Sequence, residues 1–146
     1  MSEHDESLHL TATDLRMATF RLARRLRSVR ATDSMGDAQL AVLMTLRVHG
    51  RRTISALAEH ERVATPSMTS TVNGLEEQGF VVRTPDEQDR RRVQVDITDA
   101  GAEIVAETIR RRDALLAGIL ADVHLTEAEL TTLREASALM RRVAER

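Results

Sequence analysis

The stretch TPSMTSTVNGLEEQGFVVRTPDEQDRRRVQVDITDAG, residues 65–101, predicts a helix, a hairpin and the start of a second helix. Thr65 is a suitable N-cap, and Pro66 fits the first helical position because its missing N–H costs nothing there. Gly79 can end the helix in the left-handed backbone region. Three apolar residues at steps of three and four predict the buried face: Met68, Val72 and Leu75.

The second half of the stretch has the alternation of a half-buried strand. Val93, Val95 and Ile97 alternate with polar residues, and we expect them to attach a two-stranded hairpin to the rest of the domain. The preceding FVVRT is the predicted partner strand, and PDEQD is the turn between them. Thr98 is the predicted cap of the helix that follows.

Helical patterns flank this stretch on both sides. Residues 1–11 are predicted to be a loose tail, and a helix with one apolar stripe is predicted from Thr13. The stripe consists of Leu15, Ala18, Leu22, Leu26 and Val29. Further helices are predicted from Asp37 to about His49, over ISALAEH with Thr53 as cap, from Thr98 to about Asp122, and from the Thr126–Glu129 capping box to about Arg142.

The order of short helix, tight turn, second helix and hairpin is that of a helix-turn-helix followed by a β wing. In such a unit the second helix enters the major groove of DNA, where Ser67, Thr69 and Ser70 can hydrogen-bond base edges or phosphates and Asn73 can pair with adenine. The Arg run at 90–92 suits the negative potential of a narrow minor groove. Two alternatives stay open: a helix pair packed only for structure, and an arginine run that is a solvated face paired with the neighbouring acids Asp86, Glu87 and Asp89.

Composition bounds the class of protein. A chain of 146 residues is long enough for one domain with a real core, and its formal net charge of −2 does not by itself indicate nucleic acid. All 21 basic residues are Arg, which coding bias explains. There is no Cys, so thiolate chemistry is excluded, and the five His are scattered, so we expect neither a metal site nor a cofactor.

Other functional classes lack their sequence signatures. No phosphate-binding loop, nucleophile elbow or HExxH motif is present, so we do not expect an enzyme. No apolar run reaches the ~18 residues of a membrane span, and the acidic start is unlike a signal peptide. We therefore expect a cytoplasmic protein without membrane partners.

From about Asp14 to Arg142 the chain resembles the MarR family of winged helix-turn-helix transcriptional regulators. The resemblance is strongest over residues 65–101, with a D-x-R signature at Asp89 and Arg91 and the strand end ITDAG. It implies a mainly α fold with a small β wing and with N- and C-terminal dimerisation helices. The implied division is a tail and dimerisation helix over 1–34, a DNA-binding lobe over 35–99 and C-terminal dimerisation helices over 100–146.

The resemblance also implies roles for individual residues. Arg91 corresponds to the wing-tip arginine that enters the minor groove, and Asp89 is expected to orient it through a salt bridge. Arg90 and Arg92 are better suited to phosphates. Many relatives have Arg or Lys where Ser70 stands, so a bidentate guanine contact from this helix is not expected. The residues implied for the recognition helix are Thr65, Pro66, Ser67, Thr69, Ser70 and Asn73.

The function implied is a homodimeric, sequence-specific regulator that binds a pseudo-palindromic DNA operator, a repressor relieved by a small ligand. Many members of the family bind a small aromatic acid, and Arg16 or Arg24 of the first helix can meet its carboxylate. The alternative for these two residues is an ordinary exposed helical arginine. The alternative for the whole chain is a winged-helix module for protein interaction that does not bind DNA.

Overall fold

The structure, a computed structural model, describes residues 2–146, which form helices and a small antiparallel sheet. By internal packing the chain divides into two compact units, one up to Arg112 and one from Asp113 onwards. In chain order the elements are α1 (Glu3–Arg27), α2 (Asp37–His49), β1 (Arg52–Thr53), α3 (Ile54–His60), α4 (Thr65–Glu77), β2 (Val81–Pro85), β3 (Val93–Ile97), α5 (Asp99–Val123) and α6 (Glu127–Ala144).

The first helix begins ten residues earlier than the sequence predicts. Ser2 Oγ accepts the backbone N–H of Asp5 (3.2 Å), and the Asp5 carboxylate accepts the N–H of Ser2 (3.0 Å), which makes a capping box. These hydrogen bonds lower the pKa of the Asp5 carboxyl. The predicted loose tail is therefore wrong for residues 3–11, because polar capping groups start this helix before its apolar periodicity begins; residue 1 lies outside the described residues.

The apolar stripe predicted on α1 is largely open to solvent. Within Glu3–Arg27, all of which the structure describes, no residue is buried. Leu22 of the predicted stripe is 43% exposed, and Phe20 beside it is 63% exposed. Exposed apolar faces of this kind commonly take part in protein interfaces.

The core of the first unit lies between α2, α3, α4 and the sheet. Leu40, Leu43 and Leu46 of α2 are buried, and Met44 is partly buried against them. The predicted buried face of α4 is also confirmed. Its members Met68, Val72 and Leu75 are each at most 2% exposed. Leu57 of α3 and Val95 of β3 complete the centre of this core.

The start of α4 differs by one residue from the prediction. Ala64 is the N-cap, with an extended backbone (φ −67°, ψ 144°), and its carbonyl accepts the N–H of Met68 (3.0 Å). Thr65 is thus the first helical residue and does not cap the helix, and Pro66 is the second. Proline is tolerated at either position because none of the first-turn N–H groups has a partner within the helix.

The sheet has three strands in the order β1-β3-β2, one more than the predicted hairpin. The extra strand β1 pairs Arg52 with Val95, and two residues are too short for a periodic signal. Val95 is fully buried, as predicted, and Ile97 is half-buried. Val93 is 41% exposed, so its predicted role in attaching the hairpin is wrong: it pairs with Pro85 at the far end, beyond the core.

The start of α5 packs closely against the backbone of Gly79 and Phe80, at the point where β3 ends. Thr98 Oγ1 accepts the N–H of Gly101 (3.1 Å), so Thr98 caps α5 as predicted, and it also donates to the carbonyl of Gly79 (2.7 Å). Gly101 is buried, and a Cβ built on it would lie 2.3 Å from the carbonyl oxygen of Phe80. Gly79, just after the end of α4, has φ +77°, the left-handed conformation predicted for it.

The link between α1 and α2 is fastened to α5. The buried Thr108 side chain accepts the N–H of Ala31 (3.1 Å). Arg111 donates to the carbonyl of Arg30 (3.1 Å), and Arg112 donates to the carbonyl of Val29 (3.1 Å). Burial lowers the pKa of the Arg112 guanidinium. Two successive peptide units of the link, Val29–Arg30 and Arg30–Ala31, are thus bonded to one stretch of α5.

Candidate nucleic-acid interface

The helices α3 and α4 form a helix-turn-helix with a short, fixed turn. Arg62 in the turn has φ +54°, and the N–H of Val63 bonds to the carbonyl of Ala58 (3.0 Å). Thr45 of α2 is only 7% exposed and donates a 2.6 Å hydrogen bond to the Glu61 carboxylate. This contact anchors the turn to α2, and no local sequence signal predicts it, since the two residues are sixteen apart.

The exposed side of α4 carries the residues predicted for base recognition. Pro66, Ser67, Ser70 and Asn73 are exposed, opposite the buried face. Thr69 is half-buried, and its hydroxyl donates to the carbonyl of Thr65 (2.9 Å), which leaves its oxygen free only to accept. The structure thus presents small polar side chains on a rigid helix, as the sequence predicts, and their contact with bases stays a prediction.

Asn73 has a partner that the sequence did not predict. Arg83 of β2 donates to the Asn73 side-chain oxygen at 2.5 Å and forms a salt bridge with Glu76. The predicted pairing of Asn73 with adenine uses the same oxygen, so Arg83 competes with a base for it, and the pairing stays a prediction. Side chains alternate along β2, so Arg83 lies on the same face of the strand as the buried Val81. This alternation is the sequence signal that indicates that Arg83 faces the domain.

The wing turn is organised by Asp86. Its carboxylate accepts the Gln94 side-chain amide (2.6 Å) and the backbone N–H groups of Gln88 (2.8 Å) and Asp89 (3.2 Å). The Gln94 hydrogen bond, followed by the two backbone bonds, lowers the pKa of the Asp86 carboxyl. The N–H of Asp86 also bonds to the carbonyl of Arg92 (2.9 Å), which closes the turn. Asp86 is therefore a structural acceptor rather than a free negative charge facing DNA.

The predicted Asp89–Arg91 salt bridge is not formed in the part of the chain that the structure describes. Asp89 instead accepts the backbone N–H of Arg91 (3.1 Å), and its own carbonyl accepts the N–H of Arg92 (2.9 Å). A short acidic side chain reaches the N–H two residues ahead more readily than a distant guanidinium. Arg90, Arg91 and Arg92 are all exposed at the wing tip. Asp89 fixes the backbone that carries them and does not aim the guanidinium of Arg91.

The comparisons with known proteins agree with this geometry. A family model described as MarR family matches residues 37–93, from α2 to the wing. An uncharacterized HTH-type transcriptional regulator of Mycobacterium bovis is 40% identical over 129 residues, which cover 88% of this chain and 89% of that protein. The chain belongs to the MarR family. It is therefore a DNA-binding transcriptional regulator, and not an enzyme.

Further relatives and solved structures extend the comparison. The HTH-type transcriptional repressor MdtR of Bacillus subtilis is 32% identical, with 74% of this chain and 68% of that protein covered. A MarR family protein from Bacillus stearothermophilus superposes with a TM-score of 0.84 at 21% identity, over 99% of this chain and 100% of the other. BpsR of Bordetella bronchiseptica superposes with a TM-score of 0.66 at 20% identity, over 92% and 93%. These two structural likenesses confirm the winged-helix fold.

The residues predicted to bind a ligand lie on an open surface. Arg16 and Arg24 are both exposed on α1. A cleft of about 260 Å³ lies elsewhere in the first unit, between α2 and α3, and it includes neither arginine. His49 and His60 line this cleft with their ring centres 5.3 Å apart, a proximity that the sequence did not indicate. Across residues 2–146 no cluster of three or more side chains is suited to hold a metal ion.

No helix in the described chain combines the length and the apolar character needed to cross a membrane.

Replacement of Asp86 by alanine is expected to loosen the wing and to weaken operator binding about threefold to tenfold, because three donors lose their acceptor. The amide protons of Gln88 and Asp89 should exchange faster with solvent, as NMR can measure. Asp86→Asn retains one acceptor oxygen, so its operator affinity and amide exchange rates should lie between those of the parent protein and of Asp86→Ala. Unchanged amide exchange in Asp86→Ala would contradict this role of the carboxylate.

The same carboxylate gives a pH dependence with a defined sign. Because its pKa in the folded protein is lowered, its contribution to wing order is complete above the unfolded value of about 3.9 and is lost as the pH falls through the lower folded value. Wing amide shifts should therefore be constant at neutral pH and titrate only below about pH 4. A transition between pH 5 and 7 at Gln88 would contradict the assignment.

Proposed function

We propose that this MarR-family chain acts as a homodimeric repressor, in which each subunit places α4 in the major groove and the wing in the adjacent minor groove of one operator half-site. The observation that carries the proposal is the exposed polar face of α4 together with the exposed Arg90–Arg92 cluster at the wing tip. Ser67 and Ser70 contact base edges or phosphates, Arg91 enters the minor groove, and Arg90 and Arg92 contact phosphates. The turn held by Asp86 supports this arrangement because it keeps the wing ordered before DNA is bound.

The homodimer is supported by uncovered apolar faces at both ends of the chain. On α1, Leu10 and Phe20 are each 63% exposed. On α6, Leu139 is 57% exposed and Val143 is 64% exposed. A two-fold dimer places two recognition helices over half-sites about 10 bp apart, centre to centre, which makes the operator pseudo-palindromic.

Repression and its relief by a ligand are supported by named relatives. MdtR is described as a repressor, and the DNA binding of BpsR is described as regulated by 6-hydroxynicotinic acid. A small aromatic acid is accordingly the ligand class that we propose for this chain, with Arg16 or Arg24 as candidate partners for its carboxylate. Titration of 6-hydroxynicotinic acid into the DNA complex tests this class directly, and an unchanged operator affinity at millimolar ligand argues against it.

Arg91→Ala is expected to weaken operator binding by at least about tenfold, ~1.4 kcal/mol, because the minor groove loses its inserted cation. Fluorescence anisotropy with an operator fragment, selected from the upstream region of the gene itself, measures the change. The logarithm of affinity should also fall less steeply with salt, by about one counterion per subunit.

The matched control for Arg91 is Arg110→Ala. Arg110 is also an exposed arginine, but it lies on α5 in ion pairs with Glu103 and Glu107, and we expect its removal to leave operator affinity unchanged. If Arg91→Ala and the parent protein bind the operator equally, the wing does not have the role proposed here.

A further inference from the structure

The Arg83–Asn73 contact joins the wing strand β2 to the recognition helix. One guanidinium nitrogen of Arg83 lies 2.5 Å from the Asn73 side-chain oxygen, and another forms the salt bridge with Glu76. Both the side chain and the backbone of Arg83 are restrained. The side chain is only 25% exposed, and the backbone pairs with the buried Val95 in the sheet. The guanidinium is therefore a fixed part of the surface of α4, although its residue belongs to a strand.

The chemistry of the two groups fixes which atom of Asn73 faces Arg83. A guanidinium has only N–H donors and no acceptor, so the asparagine must turn its oxygen towards it. Rotating the amide by 180° would place donors against donors. The amide nitrogen of Asn73, with its two hydrogens, is consequently directed away from Arg83.

Asn73 lies on the side of α4 that is available to DNA. It is three residues after Ser70 and seven after Pro66, so the three share one face of the helix, and all three are exposed. Asparagine recognises adenine when its oxygen accepts from N6 and its nitrogen donates to N7 at the same time. Because the oxygen of Asn73 accepts from Arg83, its amide nitrogen is the group left to contact a base. This donor lies next to the N–H donors of the Arg83 guanidinium. Guanine is the base whose major-groove edge offers two acceptors, N7 and O6.

We propose that Arg83 is a specificity-determining positioning residue: by holding the oxygen of Asn73 it converts an adenine-reading asparagine into a donor that reads guanine. The inference rests on the proposed role of α4 as the recognition helix. It also supplies, from the strand, the donor character that α4 lacks, since residues 65–77 contain no basic side chain. Glu76 balances the charge of Arg83, so the contribution is directional hydrogen bonding rather than general attraction to phosphates.

The test is selection of bound sequences from randomised duplex DNA with the full-length chain. Asn73→Ala assigns the base that Asn73 reads, as the position at which preference disappears, and the parent protein should prefer guanine there. The decisive variant is Arg83→Met combined with Glu76→Gln, which frees Asn73 without leaving an unpaired carboxylate beside DNA. Its guanine-to-adenine ratio at that position should shift about tenfold towards adenine.

The matched control is Glu76→Gln alone, which keeps the Arg83–Asn73 bond and should keep the guanine preference. Asn73→Asp gives a second route if the double variant does not fold: its carboxylate stays paired with Arg83 and has no donor, so the guanine preference should disappear at that position alone. NMR adds a readout without DNA, because the side-chain amide signal of Asn73 should move in the double variant and not in Glu76→Gln.

Three outcomes would overturn the inference. The first is a parent preference for adenine at the assigned base, and the second is an unchanged guanine preference in the folded double variant. The third is a uniform loss of affinity across all sequences, which would make Arg83 a phosphate contact. A parent protein with no base preference at any position would overturn the proposed role of α4, and this inference with it.

Discussion

Leu139→Asp and Val143→Asp, introduced together on α6, are expected to convert the protein to a monomer at micromolar concentration and to lower operator affinity by about a hundredfold. Both side chains are more than half exposed within one chain, so the substitutions should cost the subunit little. In the proposed dimer each apolar side chain would contribute about 1.5–3 kcal/mol by burial, and each occurs twice. Separate subunits would then bind one half-site each and lose the benefit of two linked contacts.

Sedimentation velocity and anisotropy on the same samples check this expectation. A control with the same added charge is Thr131→Asp with Ala138→Asp, at exposed positions on the opposite face of α6. The control should remain dimeric and bind the operator like the parent. A dimer that persists in the Leu139 and Val143 variant would show that this face of α6 is not the subunit interface.

Gly101→Ala is expected to destabilise the fold by about 3 kcal/mol, although the same change in an ordinary helix stabilises it by about 1 kcal/mol. The added Cβ would lie 2.3 Å from the carbonyl oxygen of Phe80 and 2.9 Å from Cγ1 of Ile97. The carbonyl cannot withdraw freely, because it accepts the N–H of Thr98 at 3.0 Å. Relief of the clash must therefore separate α5 from the base of the wing.

Urea unfolding followed by circular dichroism measures the free energy of unfolding for this variant. Gly118→Ala is the matched control: it lies in the same helix, and no heavy atom of the chain comes within 4 Å of its added Cβ. It should gain up to about 1 kcal/mol. If Gly101→Ala instead gains stability like the control, the junction between β3 and α5 yields more easily than its hydrogen bonds indicate.

Most of the winged helix could be predicted because its signals are local and repeated. The buried face of α4, the alternation of β3 and the caps at Thr53, Thr98 and Thr126 each depend on residues within a turn or a strand. The early start of α1 was missed because its first turns are set by polar capping groups, and β1 was missed because two residues carry no period.

The candidate interface was predictable in place but not in detail. The exposed positions of α4 and the arginine cluster follow from sequence spacing. The partner of Asn73 does not, because Arg83 lies ten residues away on another element and only the docking of β2 against α4 brings it there. The same holds for Asp89, because the partner of its carboxylate, the N–H of Arg91, depends on the backbone conformation of the folded turn.

The three bonds from α5 to the segment Val29–Ala31 have a mechanical consequence. A connection attached at one point can rotate about it, whereas one attached by three hydrogen bonds at two successive peptide units resists both rotation and sliding. The segment that follows α1 is therefore held to α5, the helix that begins at the base of the wing. We expect a change in the direction of α1 to be accompanied by a shift of the part of α5 that holds this link.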